Sequence, residues 1–138
     1  MKRAAAGLLD LVDRTSTITI ATKTRDGREI STPVWGVVVD GAAYIRSGYG
    51  ETSHWYRRLR RTGEIAFLTR GARFGARTEL VTDEAERTRV DDAYRAKYRG
   101  HGIALTQSVE SPARDYTLRV LPRGGAPDAV MPVGGESR

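Results

Sequence analysis

Two Asp-Gly pairs, Asp26-Gly27 and Asp40-Gly41, flank the longest strand-like run of the chain, residues 29–39. Asp-Gly between apolar segments is a strong hairpin signal, because both residues tolerate the positive φ of a tight antiparallel turn. Three strands therefore follow one another antiparallel, at residues 17–24, 29–39 and 43–47. In the first, Ile18, Ile20 and Thr22 share one face. In the second, Pro33 cannot donate a ladder hydrogen bond, which predicts a sheet edge or a bulge. Val37, Val38 and Val39 show no alternation, so that end is expected to be covered on both faces.

The remaining chain alternates short helices with further strands. Ala5, Leu8, Leu9 and Val12 fall at i, i+3, i+4 and i+7, the apolar face of an N-terminal helix. Gly48-Tyr49-Gly50 breaks the third strand, and Thr52 or Ser53 is placed to cap the next helix. Trp55 and Leu59 form its inner face, and Gly63 ends it. Strands follow at residues 65–69 and 73–81, turned at Gly71. Asp83-Glu84-Ala85-Glu86 reads as a capping box. Val90, Tyr94 and Tyr98 then give a helix its inner face. Residues 100–114 read as a loop more mobile than the strands, since they lack an apolar period. Tyr116, Leu118 and Val120 alternate in a last strand. Residues 123–138, rich in Gly, Pro and charge, read as a flexible tail. The order α-β-β-β-α-β-β-α-β predicts a mainly antiparallel sheet closed into a small barrel, with short helices outside. One domain would span residues 1–122.

Composition narrows the chemistry. A chain of 138 residues is one domain long and can bury a real core. There is no cysteine, which excludes a disulfide framework, thiolate metal ligands and a cysteine nucleophile. The only histidines, His54 and His101, have no carboxylate at ligand spacing, so no metal site is expected. No apolar run is long enough to cross a membrane, and Asp10 and Asp13 interrupt the N-terminal leucines too early for a signal peptide. A soluble, cytoplasmic protein is expected. The net charge of +6 is carried almost entirely by arginine. A GC-rich genome, an anionic ligand or nucleic acid each explains such a balance, and nucleic acid is the weakest of these readings.

The candidate chemistry concentrates in residues 30–63. A strand ending in Arg46-Ser47 before glycines and a helix N-terminus makes an anion site. Ser47 supplies a hydroxyl, Arg46 a bidentate fork, and Arg57 or Arg58 reaches in from the helix. The plain alternative is a loop of solvated arginines. The Arg46 and Ser47 side chains are expected to face solvent when the site is empty. Trp35 and Trp55 either pack in the core or line a flat pocket beside it.

With these residues in place, the chain resembles the flavin-binding split β-barrel superfamily, the pyridoxamine-phosphate-oxidase-like proteins, over residues 15–122. The likeness is strongest in TRDGREISTPVWGVVVDGAAYIRS and in WYRRLRRTGEIAF. Actinobacterial members that use the deazaflavin F-420 look similar. A further branch carries Trp-Tyr on this helix and an "AY..KY" segment, matched here by Ala93-Tyr94 and Lys97-Tyr98. The resemblance implies a homodimer with FMN or deazaflavin F-420 at the subunit interface. The ring would lie along Thr32, Pro33, Val34 and Trp35. Arg46 and Ser47 would grip the phosphate, with Trp55, Arg57 and Arg58 beside it. Many members have Lys where this chain has Trp55, and Asn-Pro where it has Thr62-Gly63. The implied activity is oxidoreduction of a small organic substrate. The alternative is a cofactor-free barrel that binds a small molecule, as an isomerase or cyclase of secondary metabolism would.

Overall fold

The computed structural model describes residues 2–123 and 128–129. It opens with helix α1 (Lys2–Arg14), then strands β1 (Ile18–Lys23), β2 (Glu29–Val34), β3 (Gly36–Val39) and β4 (Ala42–Arg46). Helix α2 (His54–Thr62) leads to β5 (Ile65–Thr69) and β6 (Ala72–Leu80). Helices α3 (Glu84–Lys97) and α4 (Ile103–Ser108) precede β7 (Thr117–Pro122) and the short β8 (Asp128–Ala129). Of the expected tail, Arg123 and residues 128–129 are described, the latter paired with β6; the rest lies outside the described residues.

The main path of the sheet runs β2-β1-β5-β6-β7-β4-β3, and its pairings are antiparallel. The run expected as one strand over residues 29–39 is two. β2 pairs with β1 at one end of the path, and β3 pairs with β4 at the other. Only Trp35 separates them, so one bent stretch of chain joins the two ends of a curled sheet. Pro33 sits on an edge strand opposite Thr19, where its missing N–H leaves no gap in a central ladder. At the Asp40-Gly41 turn both residues adopt positive φ, 50° and 80°, as a two-residue hairpin requires.

Two apolar clusters stabilise the sheet from its two faces. The first gathers Leu8 and Val12 of α1, Ile18 and Ile20 of β1, Ile45, Phe67, Leu118 and Val120, with Trp55, Tyr56 and Leu59 of α2. The second lies under α3 and joins Val37 and Tyr44 to Val81, Val90, Tyr94 and Tyr98. The valine run of β3 serves both: Val38 packs on the first cluster, Val37 and Val39 on the second. Side chains alternate across a strand, so a run without polar residues marks two covered faces.

The helix ends follow the sequence with two exceptions. Asp83 caps α3 by accepting from the Glu86 N–H at 2.8 Å. The Glu86 carboxylate does not complete the box; it takes the Tyr44 hydroxyl and Arg119 instead. These hold it below the usual carboxylate range, Arg119 more than Tyr44. Ser53 stands at the N-cap of α2, yet its hydroxyl caps nothing and receives Ser47 Oγ and the Tyr49 N–H. The expected loop at residues 100–114 carries α4, because Leu105 and Val109 anchor it on the second cluster.

Where the ladder breaks at Trp35 and Gly36, α3 supplies the missing partners. The Tyr94 hydroxyl donates to Trp35 O at 3.2 Å. The Tyr98 hydroxyl accepts the Gly36 N–H at 3.0 Å and donates to Ser16 O at 2.7 Å. The Lys97 ammonium donates to Gly36 O, Thr15 O and Val12 O, tying the end of α1 to the same point. Burial pushes the Tyr98 hydroxyl up to about 12, so it keeps its proton at neutral pH.

Gly36 itself is required by close approach. A Cβ there would stand 3.0 Å from Ile18 Cδ1 and 3.1 Å from the backbone oxygen of Tyr44. That oxygen belongs to the β4 backbone and cannot turn aside. Gly36→Ala is therefore expected to cost about 1–3 kcal/mol, read as a lower urea midpoint at unchanged slope.

Candidate functional site

The bend between β2 and β3 opens onto a cleft of about 1070 Å³. Thr32, Pro33, Val34 and Trp35 form one side. Ser53, His54, Trp55 and Arg58 of the α2 region, with Gly48 and Tyr49, form the second. The far wall is Ala104, Gln107 and Ser108 of α4 and residues 110–113 after it. Of the residues expected at the site, Thr32, Pro33, Val34, Trp35, Arg46, Trp55 and Arg58 line this cleft, while Ser47 and Arg57 do not.

The expected phosphate grip is organised differently. Arg46 and Ser47 do not face solvent: Arg46 is 6% exposed and Ser47 fully buried. Arg46 Nε donates to Thr117 Oγ1 at 2.9 Å, Nη1 to Ser108 O at 2.9 Å and Nη2 to Arg87 O at 3.1 Å. Its guanidinium also lies 2.7 Å from the buried Asp91 carboxylate and over the Tyr94 ring. The Asp91 contact is close but poorly aligned as a hydrogen bond, and is an ion pair first. Burial draws the Arg46 guanidinium below the usual arginine range, and Asp91 opposes this. The other Asp91 oxygen accepts from Arg114 Nε at 2.8 Å. Arg46 thus joins β4 to α3, β7 and the C-terminal carbonyl of α4, and fixes the far wall of the cleft. The Ser47 hydroxyl is spent within its loop, on Gly50 O and Ser53 Oγ, both at 2.6 Å.

Besides Arg46, two basic side chains line the cleft, Arg58 and His54. Arg58 Nε donates to the buried Thr22 hydroxyl at 2.8 Å, which orients its side chain. Among the described residues its terminal nitrogens have no partner. His54 is exposed one helical turn earlier, on the same side of α2. Arg57 is exposed and directed elsewhere. Trp55 is 7% exposed, with its bulk in the first cluster. Trp35 is half-buried and stacks on Tyr98, ring centroids 4.0 Å apart and planes 7° apart. His101 stands edge-on to Trp35, its Nδ1 2.9 Å from Tyr98 O.

Sequence reasoning did not find Asp91, whose burial beside Val90 follows only from the approach of Arg46 and Arg114. It also missed the wall residues Gln107, Ser108 and Glu110, which lie in the stretch read as a loop. The spacing of Leu105 and Val109 at i, i+4 was the available signal.

This fold defines a class. The protein is a split β-barrel of the pyridoxamine-phosphate-oxidase-like kind: a curled antiparallel sheet with short helices. Its chain belongs to the family of uncharacterized proteins conserved in bacteria called DUF2255, whose model matches residues 8–120. No curated protein matches it by sequence at a significant level. Among solved structures, the conserved hypothetical protein Rv2991 from Mycobacterium tuberculosis is 23% identical with a TM-score of 0.60. The match covers 90% of this chain and 83% of that one. HutZ, the heme storage protein from Vibrio cholerae, is 12% identical with a TM-score of 0.63, over 92% of this chain and 96% of its own. A protein from Listeria innocua provisionally assigned as a pyridoxamine 5'-phosphate oxidase is 12% identical with a TM-score of 0.60. That match covers 87% of this chain and 94% of the other. Among the described residues, no helix is long and apolar enough to cross a membrane.

The Arg46–Asp91 pair yields a stability test. Breaking a buried pair by removing one partner typically costs about 3–5 kcal/mol. Arg46→Met is expected to lose stability in that range in urea denaturation. Arg57→Ala, on the exposed face of the neighbouring helix, is expected to change it by no more than about 0.5 kcal/mol.

Proposed function

We propose that the cleft binds a flat, phosphorylated cofactor of the flavin class, FMN or deazaflavin F-420, and that the protein is an oxidoreductase acting on a small organic substrate. The observation that carries this reading is Arg58, oriented by Thr22, with uncommitted terminal nitrogens in a cleft walled by Trp35 and an edge strand. An edge strand directs alternate backbone N–H and C=O groups away from its one partner, and these suit the polar rim of a flat ring. Arg58 and His54, one turn apart on α2, take the phosphate in place of Arg46 and Ser47. The bound cofactor would supply hydride transfer. The chain's own part is to orient the ring along Thr32–Trp35, hold the anionic end at Arg58, and shield the ring with the α4 wall.

Such a protein would act as a homodimer. Tyr49, on the cleft, is 77% exposed, and Ile103, next to the cleft-lining Ala104, is 76% exposed. A second copy would cover both. One observation favours a second reading, the cofactor-free barrel that binds a small molecule. Arg46 and Ser47, expected to grip a phosphate, are committed to partners inside the protein.

Calorimetric titration of FMN and of deazaflavin F-420 separates the two. Losing a charge-assisted hydrogen bond is worth about 1.5–3 kcal/mol, so Arg58→Ala is expected to bind about 10- to 150-fold more weakly than wild type. Arg57→Ala is expected to bind as wild type does. Equal affinity of wild type and Arg58→Ala would move the phosphate elsewhere. A wild type that binds neither cofactor at about millimolar concentration would leave the cofactor-free reading.

A further inference from the structure

Trp35 enters the cleft from a peptide junction that the sheet itself does not hold. Gly36 stands opposite Ile45, yet its N–H and C=O both point to α3. Three side chains at the C-terminal end of that helix converge on the junction. Tyr94 binds the Trp35 carbonyl, Tyr98 the Gly36 amide and Lys97 the Gly36 carbonyl. The same Tyr98 contributes its ring, which lies parallel behind the Trp35 indole. All three donors of the Lys97 ammonium go to backbone oxygens, so it has no capacity left for a ligand. The "AY..KY" segment noted in the sequence is this cluster.

We propose that Tyr94, Lys97 and Tyr98 form a clamp that sets the plane of Trp35 in the cleft. Lys97 and Tyr98 are then positioning residues for the cleft's ligand, which neither side chain touches. The inference rests on the reading of the cleft as a site for a flat ring. Its physical basis is pre-organisation. A side chain that must be ordered on binding weakens affinity by about 2- to 10-fold relative to one already fixed. Stacking on Tyr98 and two pinned peptide groups remove that freedom from Trp35 before any ligand arrives.

The test uses the full chain labelled with 5-fluorotryptophan. Trp35 and Trp55 are its only tryptophans, so two fluorine resonances are expected. Trp35→Phe identifies which belongs to Trp35. In Tyr98→Leu and in Lys97→Met, the Trp35 resonance is expected to shift and broaden while that of Trp55 stays in place. FMN affinity, measured on the same samples, is expected to fall about 2- to 10-fold. A general loosening of the fold would move both resonances together and would count against the clamp. An unchanged Trp35 resonance in both variants would overturn it, as would a moved resonance with unchanged FMN affinity. Should Tyr98→Leu fail to fold, Lys97→Met and Tyr98→Phe carry the test, the latter keeping the ring and losing only the hydroxyl. Should wild type bind no FMN, the ring-binding reading fails and the ligand role of Trp35 with it. The fluorine spectra still decide whether the clamp exists.

Discussion

The architecture depends on how the chain satisfies its backbone at one broken strand. A buried N–H or C=O left unpaired costs as much as a lost hydrogen bond, so a strand seldom breaks inside a fold without help. Here the help comes from α3. Tyr94, Lys97 and Tyr98 receive or donate at Trp35 O, Gly36 N and Gly36 O. With that junction held, β2 can pair with β1 while β3 pairs with β4, and the sheet curls between its two ends. The cleft lies at the same bend, so one set of contacts shapes both barrel and candidate site.

The arginines divide by burial, and burial decides what each can do. Arg46 is enclosed and must be matched: by Asp91 for charge, and by Thr117, Ser108 and Arg87 for its N–H groups. A guanidinium so engaged holds the α4 wall in place. Arg119 does similar work between β7 and α3, against Glu86 and Glu79. Arg58 is only half enclosed, and its single bond to Thr22 aims the side chain without consuming it. Side chains that look alike along the sequence thus separate into scaffold and candidate ligand-binding groups. Desolvation makes the difference, since a buried charge is costly until paired.

Much of the fold was legible because its signals are local. The Asp40-Gly41 hairpin, the Asp83 cap and the inner faces of α2 and α3 each rest on residues within a turn or two of each other. The valine run announced two covered faces and has them. The break at Trp35 was not legible, because its partners lie about sixty residues away on α3. The fate of Arg46 was hidden for the same reason: Thr117, which takes its Nε–H, is 71 positions further on. Local pattern placed Arg46 at the end of a strand before glycines, a position equally suited to an anion or to a buried carboxylate. Thr32, Pro33, Val34, Trp35, Trp55 and Arg58 do meet at one cleft, since the bend and α2 bring them together.

The central claim is that α3 side chains replace the ladder at the bend. Amide hydrogen exchange of Gly36, followed by NMR in the native protein, tests it most directly. The Gly36 N–H points away from β4 and has the Tyr98 hydroxyl as its partner. The account predicts protection comparable to the amides of the β3–β4 ladder, and loss of that protection at Gly36 in Tyr98→Phe. Exchange of the wild-type Gly36 amide as fast as that of the exposed turn glycine Gly41 would contradict it.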